Sequence, residues 1–219
     1  MRNAASSALR APYKWALGLV VPLVLALGWK YPLLGFIVPA VMVSAIVTGF
    51  FRGRWFCGHL CPRGAFFDSW LRLIGGRRPI PPFLRSIKWR PLVSVTMIGY
   101  MVWRIGAAAG DPLHWGHVFW EMCLLTTLIG VPLALVFRPR AWCAMCPIGT
   151  LQMAVGGHRE RWRLDAAACV GCGACQKSCP LSLPVVRDKA RGIIGDRDCL
   201  KCGECARVCP TRAIAPPGP

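Results

Sequence analysis

Four apolar stretches recur through the first 137 residues of the chain. They cover residues 15–29, 33–51, 91–110 and 118–137; the first two carry no charged side chain, the third contains only Arg104 and the fourth only Glu121. A helix needs about 20 apolar residues to cross the hydrocarbon core of a bilayer, with a range of roughly 17 to 25. The pattern therefore predicts four membrane-spanning helices, of which the first is short and must use its flanking residues.

Basic side chains are distributed unevenly between the connecting segments. The segment 52–90 carries nine Lys or Arg against a single acid, Asp68, and thirteen more basic residues follow residue 137. Positively charged loops stay in the cytoplasm. We therefore expect a multi-pass protein of the inner membrane, with both termini on the cytoplasmic side. The stretch 15–29 lacks the small-residue cleavage site of a signal peptide.

Composition supports a membrane protein over an ordinary soluble enzyme. Hydrophobic residues make up 55% of the 219 residues, and 27 Lys or Arg against 9 Asp or Glu give a net charge of +18. Topology and attraction to anionic lipid, about 1 kcal/mol per basic residue near the surface, account for this charge. We expect lipid contact and no nucleic acid binding. Residues 64–74 alternate at helical spacing, which predicts a helix at the interface or one packed on the bundle.

The second and fourth stretches end in related sequences. Residues 51–64 are FRGRWFCGHLCPRG and residues 137–149 are FRPRAWCAMCPIG. Each has basic residues, an aromatic residue, a cysteine pair, proline and glycine in the same order. Related halves that meet at a shared site are a recurring plan in membrane proteins. The sequence thus predicts a four-helix transmembrane bundle made of two repeated helical hairpins.

Each hairpin supplies two thiols at its cytoplasmic end, within motifs at 57–61 and 143–146. Four thiolates suffice for an all-cysteine iron–sulfur or zinc site. A redox dithiol is the alternative, because nearby arginines favour thiolate, and a lasting disulfide is disfavoured in the cytoplasm. His59 is a possible ligand or a simple polar contact, and the isolated Cys123 is predicted to be a packing residue. The candidate metal or redox residues are Cys57, Cys61, Cys143 and Cys146.

Eight further cysteines form two runs near the C-terminus. Residues 169–180 have the pattern C-x2-C-x2-C-x3-C-P, and residues 199–210 repeat it 30 residues later. Zinc sites usually consist of two C-x2-C pairs with a longer spacer. In the two-cluster pattern the fourth cysteine of each run binds the other cluster. The first 4Fe–4S cluster is therefore predicted to use Cys169, Cys172, Cys175 and Cys209. The second is predicted to use Cys199, Cys202, Cys205 and Cys179.

The tail is too small to build a stable core without help. About 50 residues need staples, and two clusters would provide them, so we expect the tail to unfold without iron and sulfide. The chain is predicted to be mainly α. The resemblance of the two cysteine runs to those of a bacterial two-cluster ferredoxin implies a small α+β ferredoxin-like domain after the bundle. The predicted boundaries are an N-terminal segment 1–14, a membrane domain 15–155, a linker 156–164 and the ferredoxin-like domain 165–219.

The tail resembles a bacterial two-cluster ferredoxin, and the whole chain resembles the NapH/MauN/NosR group of polytopic membrane ferredoxins. The resemblance rests on the four stretches, Cys-x3-Cys-Pro after the second, a second cysteine motif after the fourth, and the two-cluster tail. The motif at 143–146 has two intervening residues where the group has three. The resemblance implies electron transfer between the quinone pool or a membrane redox partner and another oxidoreductase. The chain itself would be an electron-transfer subunit, for example of a quinol dehydrogenase.

Two other interpretations remain open from the sequence. An accessory protein would supply electrons for assembling or reactivating the cofactor of a partner enzyme, with the same clusters and no quinone pocket. A zinc-bearing membrane scaffold would have no redox role. The predicted partners of the chain are membrane lipid and redox partner proteins, with quinol in addition for the electron relay.

Quinone chemistry couples electrons to protons and so needs a titratable group beside an apolar cleft. An ionisable residue inside a span is a functional hypothesis by default. Glu121 is such a residue, and His117 lies four positions before it, on the same side of a helix. Glu121 and His117 are therefore predicted to form a quinone or proton site. The alternative is that Glu121 pairs with Arg104 and satisfies two charges at the membrane rim.

Overall fold

The computed structural model describes residues 12–86, 88–108 and 110–217. Residues 1–11, most of the predicted N-terminal segment, lie outside these ranges. The described chain is mainly helical up to residue 156, as predicted. Its helices there are α1 (Pro12–Leu27), α2 (Ile37–Arg52), α3 (Trp55–His59), α4 (Pro62–Ser69), α5 (Trp89–Ala107), α6 (Pro112–Val136) and α7 (Pro147–Gly156). Short 3-10 turns cover Pro32–Phe36, Pro82–Arg85 and Trp142–Ala144.

Two of the described helical segments are long and apolar enough to cross a membrane. They are Pro32–Arg52, which joins a 3-10 turn to α2, and Pro112–Val136, which is α6. The helix α1 is apolar as well but has only 16 residues, and α5 has 19 residues. Helix length and composition thus support two of the four predicted spans, and the four-span bundle stays a prediction.

Proline fixes where several of these helices begin. Proline is favoured in the first turn of a helix because that position needs no N–H donor. α6 begins with Pro112, and the Asp111 side chain accepts a hydrogen bond of 2.9 Å from the Leu113 N–H. α4 and α7 each begin with the proline that follows the second cysteine of a repeat. The Cys-Pro motif therefore places Cys61 and Cys146 at equivalent helix starts.

The helices that follow the cysteine motifs pack on other helices of residues 12–156, the predicted membrane domain. α4 lies against α1, and α7 lies against α2 and α5. The predicted helix 64–74 is α4, which starts at Pro62 and ends at Ser69. The Phe67 side chain of α4 is completely buried. α4 is therefore a helix packed on its neighbours, the second of the two forms expected for this segment. Close approach is also required where the 32–36 turn meets α6, because a Cβ on Gly35 or Gly116 would collide with a facing carbonyl oxygen.

The tail is a small α+β unit with little regular structure. It contains β1 (Arg163–Leu164), α8 (Ala174–Ser178), a 3-10 segment (Val185–Arg191), α9 (Glu204–Arg207) and β2 (Ile214–Ala215). β1 and β2 pair antiparallel, with Leu164 opposite Ile214. β1 lies inside the predicted linker 156–164, so the regular structure of the tail begins two residues before the predicted boundary.

One hydrophobic core joins the tail to the end of the membrane domain that carries the cysteine motifs. Phe67 and Trp142 from the membrane domain share it with Leu181, Leu183 and Leu200 from the tail. All five side chains are 3% exposed or less. Burial of this apolar surface holds the two parts together. Cysteines from the motifs at 57–61 and 143–146 and from the two tail runs lie in or against this core.

Candidate metal centres

The structure brings each predicted tail quartet together around a small cavity. Two cavities of about 20 Å³ each lie within the tail. The cysteines that line one are Cys169, Cys172, Cys175 and Cys209. The cysteines that line the other are Cys179, Cys199, Cys202 and Cys205. In each set the fourth cysteine comes from the other run of the sequence, which is the exchange that the spacing predicts.

The two cysteine loops share an unusual backbone conformation. Gly171 and Gly173 have φ of 71° and 72°, and at the matching positions of the second run Lys201 and Gly203 have φ of 55° and 73°. Glycine adopts positive φ at no steric cost, whereas a residue with a side chain does so under strain. Lys201 keeps this conformation while its ammonium group donates a hydrogen bond to the Arg159 carbonyl oxygen. The two runs therefore form loops with the same backbone conformation at these positions.

Burial keeps several tail thiols protonated when nothing is bound to them. It raises the pKa of Cys199 to about 11 and that of Cys202 to about 12. A cysteine binds a metal as a thiolate, so metal binding releases protons and becomes stronger as the pH rises. A metal or cluster that binds at these cysteines must therefore displace their protons.

The four cysteines of the membrane domain form a membrane quartet, which lines a third and much larger cavity. Its volume is about 170 Å³, and its lining includes Cys57, Cys61, Cys143 and Cys146. The repeats place these residues equivalently. The first cysteine of each pair lies in a short helical turn, α3 or Trp142–Ala144, and the second precedes the proline of α4 or α7.

Two buried arginines cross between the repeats. Arg54 donates a hydrogen bond of 2.6 Å to the Cys143 carbonyl oxygen, and Arg140 donates one to the Cys57 carbonyl oxygen. Each arginine stands three positions before the first cysteine of its own repeat and reaches the first cysteine of the other. The two cysteine pairs are therefore held together by a reciprocal contact.

The same exchange explains a glycine in each repeat. A Cβ on Gly64 would lie 2.6 Å from the Arg140 guanidinium, and a Cβ on Gly149 would collide with the guanidinium of Arg54. Each glycine comes three positions after the second cysteine of its repeat. Each glycine leaves room for the guanidinium of the arginine from the other repeat, which a Cβ would displace.

Carboxylates neutralise these arginines, and one of them belongs to the tail. Asp68 accepts hydrogen bonds of 2.9 and 2.6 Å from Arg140. Asp198, next to Cys199 in sequence, accepts one of 2.7 Å from Arg54 and two of 2.7 and 2.6 Å from Arg90. Burial favours the neutral form of Asp198, yet Arg54 and Arg90 outweigh it and lower the pKa of this carboxyl group. Ionic contacts thus connect the membrane quartet to a loop of the tail.

The backbones of the two parts also touch between two cysteines. Gly58, directly after Cys57, lies so close to the Leu200 carbonyl oxygen that a Cβ at this position would collide with it. Leu200 follows Cys199. The residue after Cys57 of the membrane quartet therefore contacts the residue after Cys199 of the second tail quartet. Sequence reasoning missed this contact and Gln152, whose side chain accepts a hydrogen bond of 2.8 Å from the Cys57 thiol.

We expect Gly58→Val to loosen the tail from the membrane domain by about 1–3 kcal/mol, the usual cost of overpacking. Limited proteolysis of the tail in purified protein should then become markedly faster. Gly99→Val in α5 is the matched control, because a Cβ at Gly99 meets no atom of another described element within 4 Å. Equal proteolysis rates for the two variants would contradict the contact.

Other predicted site residues have different surroundings. The His59 ring stacks on Trp55, with ring centroids 4.6 Å apart. His59 does not line the large cavity. The buried Cys123 does line it. Glu121 pairs with Arg104 at 3.1 Å. The structure therefore shows the charge pair that the sequence offered as the alternative, and the proton role of Glu121 and His117 stays a prediction.

Each of the three cavities has four cysteines in its lining besides other residues. A 4Fe–4S cluster is bound by four cysteine thiolates, one on each iron. The four cysteines at each cavity are therefore the number that such a cluster needs. Among the described residues, no group of three or more His, Cys, Asp or Glu side chains could hold one metal ion.

Comparison with protein families gives the same assignment. The family described as 4Fe-4S binding domain matches residues 34–81 and 121–164, one cysteine pair in each. The family described as 4Fe-4S dicluster domain matches residues 168–214. The first of these two segments contains the sequence 51–64, and the second contains the related sequence 137–149. No solved structure matches the chain.

Three relatives align with about two thirds of the chain. MauN, a methylamine utilization ferredoxin-type protein of Paracoccus denitrificans, is 29% identical over 64% of this chain and 54% of its own length. YccM of Escherichia coli K12, named as an electron transport protein, is 27% identical over 66% and 46%. An uncharacterized protein of Methanocaldococcus jannaschii is 24% identical over 65% and 58%. The chain spans about half the length of these relatives.

The two family matches show 4Fe–4S binding domains, and the relatives are named as a ferredoxin-type protein and an electron transport protein. The chain contains 4Fe–4S ferredoxin domains, and its relatives confirm the resemblance to the NapH/MauN type of 4Fe–4S protein.

Proposed function

We propose that the chain relays electrons between the quinone pool, or a membrane redox partner, and another oxidoreductase. It would do so as a four-span protein of the inner membrane, with its tail in the cytoplasm. The observation that carries the proposal is the contact between Gly58 and Leu200, the residues that follow Cys57 of the membrane quartet and Cys199 of the second tail quartet. The three cysteine sets would form the path of the electrons from the membrane to the tail.

Bound iron–sulfur clusters supply one-electron transfer, at potentials set by charge, hydrogen bonds and exposure. A quinol differs from its quinone by two electrons and two protons, so two one-electron centres match one quinol. The chain provides the ligands in the three sets described above. Membrane lipid and a redox partner protein complete the system.

The buried arginines act on the membrane quartet without binding it as ligands. Arg54 and Arg140 are 1% and 3% exposed, and both lie against carbonyl groups of its cysteines. Positive charge next to a centre favours its reduced, more negative state. These two residues also fix the distance between the halves, because each half is held by the arginine of the other.

An accessory role in the maturation of a partner enzyme uses the same cysteine sets and remains the second proposal. The two differ in the membrane step. A response of the clusters to added quinol supports the relay, and its absence with every quinone supports the accessory role. The predicted site at Glu121 and His117 belongs to the relay alone.

We expect Cys143→Ser to remove about four irons per chain, because a 4Fe–4S cluster needs all four thiolates of its quartet. The electron paramagnetic resonance signals of the dithionite-reduced tail should remain, since its two quartets are separate. Iron and labile sulfide are measured on anaerobically purified protein. Cys123→Ala is the control, as a buried cysteine outside the quartet. Unchanged iron in Cys143→Ser would leave the membrane quartet as a dithiol and overturn the three-centre relay.

A further inference from the structure

The cavity at the membrane quartet is much larger than a cluster of the tail type needs. Each tail quartet lines a cavity of about 20 Å³, whereas the cavity at the membrane quartet measures about 170 Å³. A cubane of the same kind at the four cysteines therefore accounts for a small part of this space. The remainder extends away from the sulfur atoms, between the helices.

Four helices of the membrane domain form the wall of this space, and the wall is apolar. α1, α2, α5 and α6 contribute valine, isoleucine and methionine side chains, with Met42, Met97, Met101 and Met122 among them. Methionine is flexible and polarizable, so it adapts to the outline of a bound ring or chain. No histidine lines the cavity, so it offers no imidazole ligand for haem among the described residues.

Three residues that line the cavity have a buried N–H without a hydrogen-bond partner in the described part of the chain: Arg54 and Arg63 at Nε, and Trp142 at Nε1. Arg54 is already held by Asp198 and the Cys143 carbonyl oxygen. Arg63 differs from it, because the contacts of its Nη2 group are long, 3.5 Å to the Cys123 carbonyl oxygen and 3.6 Å to the Cys123 sulfur. A buried donor without a partner costs about 1–3 kcal/mol. An acceptor oxygen on a bound molecule would satisfy it.

We propose that this cavity binds the head group of a lipid-soluble quinone, with Arg63 donating to a carbonyl oxygen and the methionine wall against the ring. The proposal rests on the proposed function and gives its membrane step a location. A quinone combines the three properties that the cavity requires: an apolar body, an acceptor oxygen and redox chemistry next to a thiolate quartet. An acyl chain offers only the first. The site is separate from Glu121 and His117, which do not line the cavity.

The test measures binding of decyl-benzoquinone and decyl-naphthoquinone to the purified holoprotein by calorimetry. Met97→Trp places a larger side chain in the cavity and should weaken binding at least tenfold. Val102→Trp, on the same helix but 59% exposed, should leave the affinity unchanged. Arg63→Gln removes the charged donor without filling the cavity, and we expect about tenfold weaker binding from the lost hydrogen bond to a charged group. Iron content per chain should stay equal in all four proteins.

The outcomes separate the cavity from the relay. If quinone oxidises the reduced tail clusters and binds Met97→Trp and Arg63→Gln as tightly as the native protein, quinone binds elsewhere and the cavity proposal falls alone. If decane of matching chain length competes fully with decyl-quinone, the cavity accepts only a tail, and the proposal falls as well. If no quinone binds or changes the cluster spectrum in the native protein, the quinone step of the relay falls together with it.

Discussion

Asp198→Asn is expected to destabilise the attachment of the tail to the membrane domain by about 3–5 kcal/mol, the range for removing one partner of a buried ion pair. Arg54 and Arg90 are each 1% exposed and share the Asp198 carboxylate, at 2.7, 2.7 and 2.6 Å. An amide leaves two cations without a counter-charge in a buried place. Arg54 would lose its position as well, and with it the contact to the Cys143 carbonyl oxygen.

The measurement is the temperature at which the tail becomes accessible to protease, together with the loss of cluster absorbance on heating. Glu160→Gln is the matched control, because Glu160 also pairs with an arginine of the membrane domain, Arg52. That pair is 3.4 Å long and 53% and 37% exposed, so its loss should cost at most about 1 kcal/mol. A shift for Asp198→Asn no larger than that of the control would show that the buried pair does not hold the tail in place.

Cysteine spacing made the grouping of the tail cysteines around two cavities predictable, because spacing is a local property of the sequence. Four cysteines in eleven residues, followed by proline, specify a loop, and the exchange of the fourth ligand follows from the repeat of that loop. The structure brings both tail sets together in this way. The likeness between residues 51–64 and 137–149 predicted the third set by the same logic. The family match covers the two repeats as separate segments of one domain.

The contacts between distant elements could not be predicted in this way. An arginine three positions before a cysteine was visible in both repeats, but the sequence does not say that Arg54 reaches Cys143 and Arg140 reaches Cys57. Nor does it pair Asp198 with arginines more than 100 positions away. Such partners depend on how the helices pack. One distant pair was expected as an alternative: Glu121, an ionisable residue in an apolar stretch, forms a partly exposed ion pair with Arg104.

The membrane prediction shows a similar limit. Hydropathy identifies apolar stretches, yet only Pro32–Arg52 and Pro112–Val136 among the described helices reach the length and composition of a span. Proline and glycine set the ends of these helices, and tertiary contacts such as that of α1 with α4 decide how much apolar surface remains for lipid. Large exposed side chains on α5, including Val95 and Trp103 at 69% and 68%, are what a helix that faces lipid would present.

Cys179→Ser is expected to remove the cluster of the second cysteine run, although Cys179 belongs to the first. Cys179 lines the same cavity as Cys199, Cys202 and Cys205, so its loss leaves that set one thiolate short. We expect about four fewer irons per chain, and local loosening around the cavity wall. Leu181 and Leu183, at 1% and 2% exposed, pack in that wall and depend on the cluster as a staple.

Alkylation followed by mass spectrometry identifies which cysteines have become free. In Cys179→Ser, the cysteines at 199, 202 and 205 should react with iodoacetamide in the folded protein, while Cys169, Cys172 and Cys175 stay protected. Cys209→Ser is the matched variant and should give the reverse pattern, because Cys209 lines the cavity of the first run. If each variant instead exposed the cysteines of its own run, every cluster would be bound by a single run. The exchange of ligands between the runs would then be wrong, even though two clusters would still be present.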